Sequence, residues 1–276
     1  MIRERAPAKL NLVLQVGRPR SDGLHEICSI FASLELSDEL TFLASDTDGD
    51  EVVCPGVEGP NLVEAALRLF RERVDPQLPT LRVTIDKRIP VAAGLGGGSA
   101  DAAAALRAAN ELAARPLDLA GLRALASDLG ADVPSQVEPR HALVTGAGER
   151  VERLRLPAMG LVLVPSDDGL STADVYKEAD RIESTRDELD PDRMRALAAG
   201  PLSTLAACVE NDLQAAAISL RPDVGQPLEQ LREAGALAAA VSGSGPTAFG
   251  VFSGPAMAER AAAAVEGAIV TRLASG

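Results

Sequence analysis

The chain has 276 residues, 46% hydrophobic and 24% charged, a length that allows one large domain or two of ordinary size with a substantial core. Its 27 Lys and Arg face 40 Asp and Glu, a formal charge of −13, so the average field repels polyanions and neither nucleic acid nor a membrane is an expected partner. An anionic substrate has to be met by local devices, such as helix N-termini, oriented backbone amides, a few cations or a metal. Residues 1–8 carry Arg3, Glu4, Arg5 and Pro7 where a leader would be apolar, and no apolar run reaches membrane-spanning length, so a cytoplasmic location is expected. From Lys9 to Val16 the chain alternates, with Leu10, Leu12 and Leu14 on one face and Lys9, Asn11 and Gln15 on the other, which predicts a half-buried strand. A polar turn around Arg18 to Gly23 leads to strands over about 27–36 and 39–44. Asn61 then caps a helix with Leu62, Ala65, Ala66, Leu69 and Phe70 at helical spacing, and Leu81 to Ile85 alternates again.

The alanine-rich run from Ser99 predicts a strong helix, and 119–129 predicts another, closed by Gly130. The charged stretch 178–199 reads as helical. The tail follows as helix (223–234), strand (237–242), glycine turn, strand (247–252), helix (255–266) and strand (268–273). The class is α+β. From Leu161 onward the chain reads as a second lobe, which places domains at 1–155 and 156–276.

The stretch from Ile89 to Leu106, IPVAAGLGGGSADAAAAL, sets Gly94, Gly96, Gly97, Gly98 and Ser99 directly before that strong helix. Successive glycine amides and a helix end with about half a positive charge make a cradle suited to phosphate. It is not a GxxxxGK[ST] loop, because no Lys follows, and it is not GxGxxG, because the position five after Gly94 is Ser99. A plain turn would need one glycine rather than four in five. A second cluster, Ser242, Gly243, Ser244 and Gly245 before Pro246, also exceeds the needs of a tight hairpin.

The ionisable residues are individually ambiguous. Lys9 also fits a solvated strand face, and Asp132 also fits a cap for a helix begun near Pro134. His25 and His141 form no ligand pair, and Cys28, Cys54 and Cys208 have no metal or disulfide spacing. Lys87 and Arg88 would place two cations beside the phosphate cradle.

Together, Pro7 to Leu12, Pro90 to Ala105 and Ser242 to Ala248 resemble, in order and spacing, the three signature motifs of the GHMP kinases, which transfer the ATP γ-phosphoryl group to small molecules. The resemblance implies a two-lobed α+β fold, with mixed sheets packed by helices and an active-site cleft between the lobes. Within the family it is strongest to members that act on a cytidine-diphosphate alcohol in isoprenoid precursor synthesis, through DGLHEI at 22–27, PNL at 60–62, IDKRIP at 85–90, LGADVP at 129–134 and GLSTADVY at 169–176. It implies that Asp132 accepts or orients the hydroxyl proton, with Lys9 beside it keeping it ionised. It implies that Asn61, Lys87, Pro90, Gly94, Leu95, Gly96, Gly97, Gly98, Ser99 and Ala100 bind ATP. The substrate falls to Asn11, His25, Thr172, Tyr176, Gly243, Ser244 and Gly245.

Mg2+ is expected with ATP, its protein ligands left open. Ser99 is equally a metal contact or a helix N-cap, and Asp101 is a further candidate. The chain departs from the family pattern at Leu24, where an aromatic is usual, and at Ser135, Gln136, Glu138, Pro139 and Arg140. Three alternatives stay open: a mevalonate, phosphomevalonate or homoserine type of kinase, a catalytically silent nucleotide-binding module, and an α/β protein whose glycines are only turns. The oligomeric state is not read from the sequence.

Overall fold

Strand pairing, rather than proximity along the chain, decides how the residues associate. A computed structural model describes residues 1–57, 59–166 and 168–274. They divide into two compact units, one of Met1–Ala8, Leu36–Val91 and Gly96–Pro139, the other of Lys9–Glu35, Ala92–Leu95 and everything from Arg140. This differs from a single cut near residue 155, because two long strands, β1 (Ile2–Pro19) and β2 (His25–Ala44), contribute residues to both units. The two strands expected over 27–36 and 39–44 are therefore one continuous element.

In the first unit, β4 (Leu81–Asp86) runs antiparallel to the Glu39–Ala44 half of β2 and parallel to β3 (Glu51–Val53). The alternation read from sequence holds: Leu81, Val83 and Ile85 face the core while Arg82, Thr84 and Asp86 face out. Helices α1 (Leu62–Arg73) and α2 (Gly97–Leu112) pack on one another, and Phe42, Leu67 and Phe70 fill the core with the buried alanines of α2. Methyl-sized side chains let the α2 backbone approach its neighbours closely. Two shorter helices follow, α3 (Leu119–Ser127), capped by Asp118, and α4 (Val133–Gln136).

In the second unit, the Ile27–Phe31 half of β2 pairs antiparallel with β5 (Ala142–Gly146), which pairs with β6 (Arg150–Arg153). A second, all-antiparallel sheet orders β7 (Gly160–Val164), β8 (Ala238–Val241), β9 (Ala248–Phe252) and β10 (Ile269–Thr271) as β10-β7-β9-β8. The stretch 178–199 is not one helix. Helix α5 (Thr172–Arg181) ends, Glu183 adopts φ 55°, and Arg186 N donates to Val16 O at 2.7 Å before Asp190 caps α6 (Pro191–Ala199). Backbone pairing to β1 and the bidentate Arg186–Asp212 ion pair outweigh helix propensity there. The remaining helices are α7 (Leu202–Ala206), α8 (Gln214–Leu220), α9 (Gly225–Glu233) and α10 (Pro255–Ala262). All three cysteines are free thiols. Among the described residues no helix is long and apolar enough to cross a membrane.

Candidate active site

In the second unit the polar face of β1 meets both glycine segments. Lys9 is 5% exposed, and its Nζ donates to Asn11 Oδ1 at 2.7 Å and lies 5.0 Å from the Phe31 ring centroid. A cation that deep needs partners, and a carbonyl oxygen and a ring face supply them. Asn11 passes the chain of bonds on: its Nδ2 donates to Ser29 Oγ at 3.0 Å, and Ser29 Oγ donates to Val13 O at 2.7 Å. The main chain of Lys9 also donates to Leu95 O at 2.9 Å, pinning the glycine loop to β1.

The turn between β8 and β9 closes on the same place. Gly245 N donates to Ser242 O at 2.9 Å, and Gly243 (φ 57°) and Gly245 (φ 83°) both occupy the left-handed region. Ser242 Oγ donates to Gly94 O at 3.1 Å. A Cβ on Gly243 would lie 3.2 Å from Asn11 Oδ1 and 3.3 Å from Lys9 Nζ, a tight approach at a φ that already favours glycine. Asn211, which opens the NDLQAAA segment that also carries the resemblance but has no role assigned from sequence, donates to Val241 O and Gly243 O at 2.7 Å each and holds the turn. Its signal is an amide side chain buried at the entrance to α8, where solvation would be the default.

Nearby along β2 and α5, His25 Nε2 lies 2.9 Å from Asp180 Oδ1. A carboxylate only accepts, so that nitrogen carries the hydrogen. The Tyr176 ring stands tilted at 42° to the imidazole with centroids 4.9 Å apart, while Leu24 is 54% exposed and offers no ring. Thr172, at the start of α5, shares a hydrogen bond with Ser244 Oγ at 2.9 Å.

In the first unit, α2 starts at Gly97, two residues before the expected Ser99. Its N-cap is Gly96 in the left-handed region (φ 69°), no side chain accepts from its first amides, and Ser99 sits inside the first turn rather than capping it. Those amides are the polar groups a phosphate takes. Asn61 caps α1, its Oδ1 accepting from Val63 N at 2.9 Å, and Leu62 Cδ1 lies 3.8 Å from where a Gly98 Cβ would be. Pro90 is half-buried and Ala100 buried, as is Leu95 of the second unit. Asp132 precedes α4 without a side-chain cap bond, and its carbonyl oxygen accepts from Ser135 Oγ at 2.7 Å. The capping role that the sequence allowed for its carboxylate is not the one it has.

Lys87 corrects the electrostatic expectation. Its Nζ lies 2.6 Å from Asp38 Oδ2 and 2.6 Å from Asp101 Oδ2, and Arg88 is engaged by Asp86 and Glu39. Burial alone would lower the Lys87 pKa, but Asp101 and then Asp38 outweigh it and hold the pKa above its ordinary value. Burial, opposed by Lys87 and reinforced by Asp38, pushes the Asp101 carboxyl up to about 7. The two cations therefore bring little uncompensated charge to the loop. Asp38 left no mark in the sequence, whereas Asp101 is the one ionisable residue on a buried alanine face.

The model of the GHMP kinases N terminal domain matches residues 61–138, and that of the GHMP kinases C terminal region matches 194–269. With the glycine loops and the α+β architecture described above, these matches show that the chain belongs to the GHMP kinases and is an ATP-dependent small-molecule kinase. It is 41% identical over 269 residues to the 4-diphosphocytidyl-2-C-methyl-D-erythritol kinase of Pelotomaculum thermopropionicum, covering 94% of this chain and 91% of that one. The kinase of the same name from Saccharopolyspora erythraea is 43% identical over 283 residues, covering 97% and 88%. A crystal structure of 4-(cytidine 5'-diphospho)-2C-methyl-D-erythritol kinase superposes with a TM-score of 0.83 at 34% identity, covering 100% of both chains.

Proposed function

We propose that this kinase transfers the γ-phosphoryl group of ATP to the 2-hydroxyl of 4-diphosphocytidyl-2-C-methyl-D-erythritol, in the non-mevalonate route to isoprenoid precursors. The observation that carries the reading is the convergence of Lys9, Asn11, Gly94 and Gly243, which joins parts of all three signature segments through named hydrogen bonds and close approaches. Identity above 40% to kinases named for that substrate favours it over the mevalonate and homoserine types.

In this reading the hydroxyl oxygen attacks the γ-phosphorus in line, and the bond to the ADP oxygen breaks. Asp132 accepts or orients the hydroxyl proton, and Lys9 sets positive charge beside the attacking oxygen. The amides of Gly94 to Ala100, with Asn61, Lys87 and Pro90 around the nucleotide, hold ATP. Asn11, His25, Thr172, Tyr176, Gly243, Ser244 and Gly245 hold the substrate, with Tyr176 as the ring for the cytosine.

Mg2+ accompanies the nucleotide and offsets phosphate charge. The ion would be carried mainly by phosphate oxygens, with the Ser99 hydroxyl on the first turn of α2 as the protein group that would hold it. The reaction belongs to the cytoplasm, where ATP is supplied.

ADP release measured with the cytidine-diphosphate alcohol, mevalonate, phosphomevalonate and homoserine tests the substrate. Turnover is expected with the first alone, and Asp132→Ala should lower kcat by about 2 to 4 powers of ten with the KM for ATP little changed. Turnover on another alcohol alone, or normal kcat in the variant, would overturn the substrate or the base assignment respectively.

A further inference from the structure

A helix whose amino end serves a phosphate has to leave its first amides unclaimed, so its first turn needs another anchor. Helix α2 meets the first condition, with Gly96 at the N-cap, no capping side chain and no acidic residue in its first turn. The anchor is an ion triad underneath. Asp38 is fully buried and accepts three hydrogen bonds, from Arg88 N at 2.6 Å, Ile89 N at 2.8 Å and Lys87 Nζ at 2.6 Å. Lys87 Nζ donates in turn to Asp101 on α2. A Cβ placed on Gly97, the first residue of that helix, would come 3.0 Å from Lys87 Nζ and 3.1 Å from Ile89 Cγ2. The segment Lys87–Ile89, fixed by Asp38, is thus the bed on which the first turn of α2 lies.

The triad is interdependent. Asp101 Oδ1 is buried with no hydrogen-bond partner among the described residues, so the bond from Lys87 to Oδ2 is what holds this carboxyl group. If Asp38 no longer directs Lys87, buried Asp101 loses that bond, and the first turn of α2, which lies against Lys87 at Gly97, loses its fixed place.

We propose that Asp38 is a positioning residue for the nucleotide: acting through Lys87 and Asp101, it orients the first turn of α2 so that the amides of residues 97–99 face the ATP phosphates. This rests on the ATP-binding reading above. Asp38 itself touches no phosphate. Lys87 in this account is a strut between two carboxylates, with two of its three N–H donors committed.

The test is Asp38→Asn, which keeps the shape and one acceptor oxygen but sets an amide N–H against the Lys87 ammonium. ATP affinity is read by titration calorimetry without the alcohol, beside KM and kcat in the ADP-release assay. The expected result is a dissociation constant and KM for ATP about tenfold higher, the worth of one charge-assisted hydrogen bond, with kcat at saturating ATP and the KM for the alcohol within about twofold. Adding Asp101→Asn to Asp38→Asn should change ATP affinity by less than about twofold more, because both act on one element. If Asp38→Asn does not fold, Asp101→Asn must give the same split between KM and kcat. Unchanged ATP affinity in a folded variant, losses spread equally over kcat and both KM values, or additive effects in the double variant overturn the proposal. A wild-type chain that fails to bind ATP overturns the ATP-binding reading instead, which separates the two failures.

Discussion

At the scale of single residues, Gly94 shows why the loop is built of glycine. Its φ of 73° disfavours any L side chain, and a Cβ there would approach Gly245 O to 2.9 Å and Ser242 O more closely still. Gly98 carries neither restraint, since its nearest neighbour to a Cβ is Leu62 Cδ1 at 3.8 Å. Gly94→Ala should therefore lower the melting temperature by about 2–8 °C, from strain and a backbone clash of about 1–2 kcal/mol, and reduce ADP release, whereas Gly98→Ala, inside α2 with open space around it, should not lower it. Scanning fluorimetry of the two variants decides it; equal melting temperatures would show that the turn at 242–245 gives way. The sequence displayed the surplus of glycine but not which glycines are obligatory. That depends on the carbonyl groups of Ser242 and Gly245, far along the chain. The same distance problem hid the fate of Lys87, whose charge looked available for phosphate until Asp38, 49 residues away, was found beneath it.

At the scale of elements, local signals were legible wherever the chain decides its own conformation. Asn61 before a helical apolar period predicted the start of α1, and its side chain does accept from Val63 N. Asn61→Ala removes that bond and should cost about 1 kcal/mol, or about 2–4 °C, while Asn61→Ser, which retains a capping oxygen, should recover at least half of the loss. Both are read without nucleotide, so that any role of Asn61 toward ATP does not enter; equal losses in the two variants would mean that the cap is not what stabilises α1. Where tertiary pairing decides, the sequence misled. The stretch 178–199 has helical composition, yet Arg186 is taken by β1 and Asp212, and the helix breaks there. Strand β5 is buried on both faces apart from Thr145, so it shows no alternation, and β6 has only 4 residues.

At the scale of the whole molecule, the formal charge of −13 makes the pH dependence of stability a sum over many carboxylates, in which one buried acid has to be isolated by difference. Asp101 is the group to isolate. Its folded pKa is raised to about 7, while an unfolded aspartate titrates near 3.9, so from about pH 4 to about pH 7 the folded chain keeps a proton that the unfolded chain has released. Protons held in excess by the folded state make stability fall as pH rises through that window. The groups facing Asp101 are Lys87 and Asp38; Lys87, whose own pKa is raised, stays cationic throughout and does not contribute a second transition. Asp101→Asn cannot titrate. Its melting temperature relative to wild type should therefore climb from pH 5 to about pH 7 and level off towards pH 8, whatever constant offset the lost ion pair introduces, because the carboxylates remote from the triad titrate alike in both proteins and cancel. The slope of that difference, measured by calorimetry at intervals of half a pH unit, is the readout. A difference that stays flat across the window would mean that Asp101 is ionised at all these pH values, with Lys87 compensating it fully, and the buried triad would then carry no proton of its own.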